Sequence, residues 1–214
     1  MELNHPAFNL INHPVIHNKM SLIRDKNTGT KEFRELISEV SILLCYESLR
    51  EEALTFTSVE TPVGHFTGKI FANGYAIIPI YRAGLGMEQG IIQILPNAKV
   101  GHIGMYRDPS NLNPVTYYNK LPSDILERKV LLLDPMLATG GTAAAGITIL
   151  KESGIQGKDI KFLCIVSCDD GVHRLEEEHP DVPIYSASHD EYLNSHAYIV
   201  PGLGDAGDRI FGTK

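Results

Sequence analysis

Cysteine is scarce: Cys45, Cys164 and Cys168 are the whole complement, an odd number, and Cys164 lies inside an apolar run. That pattern fits buried thiols in a reducing compartment better than a disulfide framework. Long apolar stretches are also missing. Val130–Leu133 and Ile91–Leu95 are among the most continuous and are far too short to cross a bilayer. The first residues, Met1 to Pro6, lack the basic stretch and apolar core of a secretory signal, so the expected location is cytoplasmic. Positive charge is not in excess either. Lys plus Arg is 19 against 26 for Asp plus Glu, a net charge of −7. This disfavours nucleic-acid and membrane-surface partners. No repeat, low-complexity tract or charge block marks a linker or tail.

What remains is a chain of 214 residues, 43% of them hydrophobic. It suits one α/β domain over residues 1–214 rather than two. The periodicity of Phe33, Leu36, Ile37, Val40, Leu43 and Leu44 predicts a helix from about Lys31 to Leu54, with Thr30 as its N-cap. Residues 1–54 thus read as an N-terminal helical extension. Thr55–Thr61 and Gly64–Ile70 read as short alternating strands turned at Pro62 and Gly64.

Then an apolar run ending in a glycine-rich or acidic loop before a helix occurs three times. The runs are Tyr75–Ile80, Val130–Leu133 and Phe162–Val166, the last followed by a loop over Ser167–Gly171. Short runs without alternation suit parallel strands covered on both faces, hence a doubly wound, mostly parallel sheet flanked by helices. Ligands in such sheets bind at the carboxyl ends of the strands, which puts the three loops on one rim. Gly104–Pro122, rich in Asn, Pro and Tyr, reads as a β-hairpin flap over about 104–122 that stands off the core.

The segment Asp134-Pro135-Met136-Leu137-Ala138-Thr139-Gly140-Gly141-Thr142 follows one of these strands. Its glycines let backbone approach a ligand, its threonines add donors, and the following helix offers free amides, together a phosphate cradle. The absence of Gly-Lys-Ser/Thr excludes a Walker loop, and Gly-x-Gly-x-x-Gly does not follow the strand. Asp134 is placed to accept from sugar hydroxyls or to stand near a metal. Arg82, after the first run, has the planar fork that suits a diphosphate, with a surface ion pair as its plainer fate. Nine histidines are scattered without His-x-x-x-His spacing, and no Gly-x-Ser-x-Gly elbow occurs.

The cradle resembles the ribose-5-phosphate motif of type I phosphoribosyltransferases, in the form found in uracil phosphoribosyltransferases, where Pro135 stands in place of a second acid. Four more stretches resemble that family in the same order: Ile23–Thr28, Arg82–Met87, Gly101–Asp108 and Tyr198–Arg209. The resemblance implies the type I fold, the transfer of phosphoribosyl from 5-phosphoribosyl 1-diphosphate to uracil giving UMP, and Mg²⁺. It also implies a homodimer or higher homo-oligomer, and GTP as an effector in some relatives. By the same resemblance, Arg82 and Arg107 contact the diphosphate, and Asp134 to Thr142 and Asp205 the phosphoribosyl group. Ile199, Gly204 and Ala206 read uracil through their backbone, within a base-recognition segment of about 186–214. Catalysis falls to Arg82, Arg107 and Asp205, which is a candidate base beside water; no residue is assigned as a direct metal ligand.

Two departures stand out, Tyr81 before the arginine and the acids Asp169 and Asp170. Their extra charge either weakens substrate binding or draws in a metal. An RNA-binding regulator of the same fold is disfavoured by the charge. Orotate would need a cation in the base pocket, and Arg209 is the only one near. Hypoxanthine would need an aromatic stack from Tyr198 or Phe211.

Overall fold

The computed structural model describes residues 7–107 and 114–213. Its strands are β1 (Phe8–Leu10), β2 (Leu54–Thr61), β3 (Gly64–Phe71), β4 (Gly74–Tyr81), β5 (Lys99–Val100), β6 (His102–Arg107) and β7 (Pro114–Lys120). They continue as β8 (Arg128–Leu133), β9 (Met136–Leu137), β10 (Ile160–Cys168), β11 (Ile184–Asp190), β12 (Tyr192–Leu193) and β13 (Ile199–Val200). The helices are α1 (Pro14–Arg24), α2 (Thr30–Ser48), α3 (Leu85–Ile94), α4 (Gly141–Glu152), α5 (Asp169–Glu178) and α6 (Ala206–Phe211).

The three apolar runs lie side by side as β4, β8 and β10 in the middle of the sheet β1-β11-β10-β8-β4-β6-β7. Every pairing along that path is parallel except β6 with β7. Alternate residues bury to opposite sides. Ile77, Leu131, Leu133 and Leu163 pack with α1, α2 and α3, whereas Ile78, Leu132 and Phe162 pack with α4 and α5. The expected doubly wound architecture is therefore present. Among the described residues no helix is long and apolar enough to cross a membrane.

Four expectations need correction. Thr30 is the first helical residue of α2 and Gly29 the N-cap, because the Gly29 carbonyl already accepts from the Phe33 amide at 2.8 Å. The same helix stops at Ser48 rather than Leu54. The Ser48 hydroxyl donates to the Cys45 carbonyl, and Lys161 draws both the Ser48 carbonyl and the Glu52 carboxylate to itself. The third loop, Ser167–Gly171, scarcely exists, since β10 runs to Cys168 and α5 starts at Asp169. Asp169 and Asp170 occupy the first turn of α5, where acids suit the free amides, and Asp169 also pairs with His189 at 3.0 Å. Finally, the hairpin β6–β7 stands off the core less than expected. Ile103 and Gly104 pair with Ile80 and Tyr81 of β4, and Tyr118 stacks on Tyr81 with centroids 6.1 Å apart.

Candidate active site

The loop Asp134–Thr142 is held from behind. The Pro135 carbonyl accepts from the amides of Ile165 and Val166, both at 3.0 Å, and Met136–Leu137 pairs with Val166–Ser167. The Cys168 thiol donates to the Ala138 carbonyl at 3.2 Å. Pro135 and Leu137 are buried by this anchoring, so they shape the loop from inside. Gly140 then turns the chain at φ +75°, the left-handed region that favours glycine. Among the described residues no side chain caps α4, which leaves its first-turn amides for another acceptor. Thr139 and Thr142 flank this turn and remain partly exposed.

Arg82 follows β4, across a Tyr81–Arg82 peptide that is cis. It pairs with Asp208 at 3.1 Å, lies 3.4 Å from the Thr213 hydroxyl, and stands over the Phe211 ring at 5.3 Å. Its side chain is 52% exposed, so an ion pair with α6 and a position on the rim coexist. Tyr81 packs against His102 at 4.8 Å, and burial pushes its phenol above the usual range, so it stays neutral. Arg107 ends β6 by its backbone; its side chain lies outside what the structure describes, as does Asp108.

The third component is the C-terminal strip. β13 pairs antiparallel with β12, and the chain then turns through Gly202 and Gly204, both at positive φ, into α6. Asp205 caps that helix, accepting the Asp208 amide at 2.9 Å. Arg209 donates to the carbonyls of Ile23, Asp25 and Leu203 at 2.6–2.8 Å and lies 4.1 Å from the Phe33 ring centroid.

These pieces meet in a cleft of about 370 Å³ lined by Ala83, Asp134, Met136, Ala138, Ile199, Gly204, Asp205 and Ala206, with His196, Ala197, Tyr198 and Gly207 completing the wall. An adjoining recess of about 190 Å³ is lined by Tyr81, Arg82, Asp134 and Thr142, with Met105 and Tyr106 from β6. Asp134 borders both. The structure therefore brings together Asp134, Met136, Ala138, Ile199, Gly204, Asp205 and Ala206, and places Arg82 and Thr142 next door. Thr139, Gly140 and Gly141 form the turn beside them. Among the described residues no cluster of three His, Cys, Asp or Glu side chains could hold a metal. Sequence reasoning missed the partners of these residues: Asp208 for Arg82, and Asp190 for Arg24 at 2.5 Å. Arg24 sits inside the quoted Ile23–Thr28 stretch, which was the available signal.

A family model for uracil phosphoribosyltransferase matches residues 10–213. The uracil phosphoribosyltransferase of Dictyoglomus thermophilum is 57% identical over 206 residues, covering 96% of this chain and 99% of that protein. The one from Geobacillus kaustophilus is 55% identical, covering 96% and 98%. A solved Aquifex aeolicus structure superposes with a TM-score of 0.91 at 33% identity, covering 97% of this chain and 99% of that one. An adenine phosphoribosyltransferase from Trypanosoma brucei, at TM-score 0.56 and 13% identity over 87% and 85%, shares the fold.

Proposed function

The chain belongs to the uracil phosphoribosyltransferase family, and we propose which of its residues carry that family's reaction. The enzyme transfers phosphoribosyl to uracil: N1 bonds to the anomeric carbon of 5-phosphoribosyl 1-diphosphate as the carbon–oxygen bond to diphosphate breaks. The products are UMP and diphosphate, with the N1 proton released, a step of nucleotide salvage.

In this reading the turn Thr139–Thr142 and the start of α4 hold the 5-phosphate. Asp134, between cleft and recess, accepts from the ribose hydroxyls, with Met136 and Ala138 as the wall beneath. Arg82 meets the diphosphate, exchanging Asp208 for it, and Arg107 meets it from the hairpin. Ile199, Gly204 and Ala206 present backbone to the uracil edge. Asp205 stands beside the ribosyl group and, with water as the alternative, takes the N1 proton. The observation that carries the reading is the meeting of Asp134 and the strip Ile199–Ala206 in one cleft at the carboxyl ends of the strands. Most of the rate then comes from positioning and from neutralising the leaving group.

The oxygen donors Asp134 and Asp205 suit a Mg²⁺ held mainly by substrate oxygens and water. When bound, this ion neutralises the leaving diphosphate. Arg209, the cation that orotate would require, is spent on three backbone carbonyls, which favours uracil. No described residue is assigned to GTP. A cytoplasmic location is supported by three free, buried cysteines; burial pushes the Cys45 and Cys164 thiols up to about 12. A homodimer or higher homo-oligomer belongs to the proposal too, through the β2–β3 arm.

The test supplies purified protein with Mg²⁺, 5-phosphoribosyl 1-diphosphate and, in turn, uracil, orotate and hypoxanthine. UMP should form from uracil alone. Arg82→Ala should lower kcat/KM by about 100-fold or more, the scale of losing a charge-assisted contact to the leaving group. Unchanged turnover in Arg82→Ala would remove Arg82 from the diphosphate site.

A further inference from the structure

The strip that reads the base is weakly held by its own strand. β13 and β12 are two residues each, and beyond them Gly202 and Gly204 adopt φ of +59° and +81°. So short a ladder fixes little of the backbone that follows it. Arg24, the last residue of α1, supplies what the ladder lacks. Its Nη1 donates to Asp190 Oδ2 and to the Gly202 carbonyl, both at 2.7 Å. Its Nη2 donates to the Ser188 hydroxyl at 2.7 Å and to Asp190 Oδ1 at 2.5 Å. Asp190 is buried at the end of β11, and its Oδ2 also accepts the Gly202 amide at 2.7 Å. One guanidinium and one carboxylate thus join both polar groups of Gly202 to the end of β11, a strand of the main sheet.

Arg24 does not line the cleft. We propose that it is a positioning residue for base recognition: by fixing Gly202 against β11 it sets where Ile199, Gly204 and Ala206 present their backbone. The inference rests on the base site proposed above. Recognition by backbone requires placement to about 0.5 Å, which a planar fork with four acceptors provides and a lysine ammonium does not. A side chain at position 202 cannot share the task. A Cβ there would lie 2.1 Å from the Ile199 carbonyl, so the Ile199–Gly202 turn is closed around its glycine. Arg209 ties the next residue, Leu203, to Ile23 in the same manner. The end of α1 is therefore part of the specificity apparatus.

The experiment compares Arg24→Lys, Ser188→Ala and Gly204→Ala, with uracil and 5-phosphoribosyl 1-diphosphate varied separately. Arg24→Lys keeps the charge opposite Asp190 and loses only the fork. It should raise KM for uracil about tenfold, the scale of one charge-assisted hydrogen bond. Ser188→Ala, which removes one neutral acceptor and serves if Arg24→Lys does not fold, should raise it about threefold. In both variants kcat and KM for the diphosphate substrate should stay within about twofold, the pattern of lost uniform binding. Equal rises in both KM values, or a fall in kcat with uracil KM unchanged, indicate a merely structural clamp and overturn the proposal. Gly204→Ala moves the edge itself. If it raises uracil KM while the other two do not, this inference alone fails; if it too leaves uracil KM unchanged, the base site fails.

Discussion

At the scale of single residues, the site depends on contacts that leave no room. Gly171 lies in the first turn of α5, and a Cβ there would sit 2.6 Å from the Ala138 carbonyl and 2.7 Å from that of Leu137. Both oxygens belong to the loop proposed to hold the 5-phosphate, and backbone cannot yield as a side-chain tip can. In an open helix Gly→Ala stabilises by about 1 kcal/mol. Here the sign should reverse. Gly171→Ala is expected to lower the thermal midpoint and to raise KM for 5-phosphoribosyl 1-diphosphate about tenfold, with uracil KM changed less. Melting curves and steady-state kinetics check both; a higher midpoint with unchanged KM would show that α5 can retreat from the loop at no cost.

At the scale of elements, α4 and α5 are joined by a group that titrates. His179, just after α5, is buried, with Nε2 3.0 Å from the Ala144 carbonyl and 3.3 Å from the Thr148 hydroxyl of α4. Its Nδ1 has no partner among the described residues. Burial holds its pKa below the ordinary imidazole value. The unfolded chain therefore takes up the proton first, and stability present above about pH 6.5 falls as the pH drops below it. His179→Gln keeps an amide donor for Ala144 and removes the titration. Urea unfolding at pH 7 and pH 5 should give a smaller loss of stability in the variant than in the parent; equal losses would put the acid sensitivity elsewhere. The same scale shows what the sequence could display. Val130–Leu133 and Tyr75–Ile80 are legible as buried strands because they are apolar on both faces, and Asp134–Thr142 because a glycine- and threonine-built turn before a helix is local chemistry. The end of α2 is not, since it is set by Lys161, more than 100 residues away. Nor are the Arg24–Asp190 and Arg82–Asp208 pairs, whose partners are 166 and 126 residues apart.

At the scale of the whole molecule, the β2–β3 arm carries exposed apolar surface on both of its faces. It pairs Leu54 with Phe71 through to Thr61 with Gly64 and, among the described residues, joins no other sheet. Phe71 against Tyr75, with ring centroids 5.1 Å apart, ties its base to β4. Cross-strand pairing places Val59 beside Phe66 and Thr55 beside Ile70 on one face, and Phe56 beside Lys69 on the other. Val59, Phe66, Ile70 and Phe56 are all exposed, and Val63 at the tip is 98% exposed. A two-stranded ribbon is marginal alone in water, and so much apolar surface on it is unfavourable unless another surface covers it. The proposed homodimer meets that requirement when the arm packs on a second copy, where each copy covers the same face of the other. Sedimentation should then give twice the chain mass or a higher multiple for the parent. Val59→Lys combined with Phe66→Asp puts opposite charges side by side, which preserves the ribbon while wetting its apolar face. That variant should sediment as a monomer, with the β4–β8–β10 core still folding cooperatively. A parent that sediments as a monomer, or a variant that remains dimeric, would remove the arm from the interface.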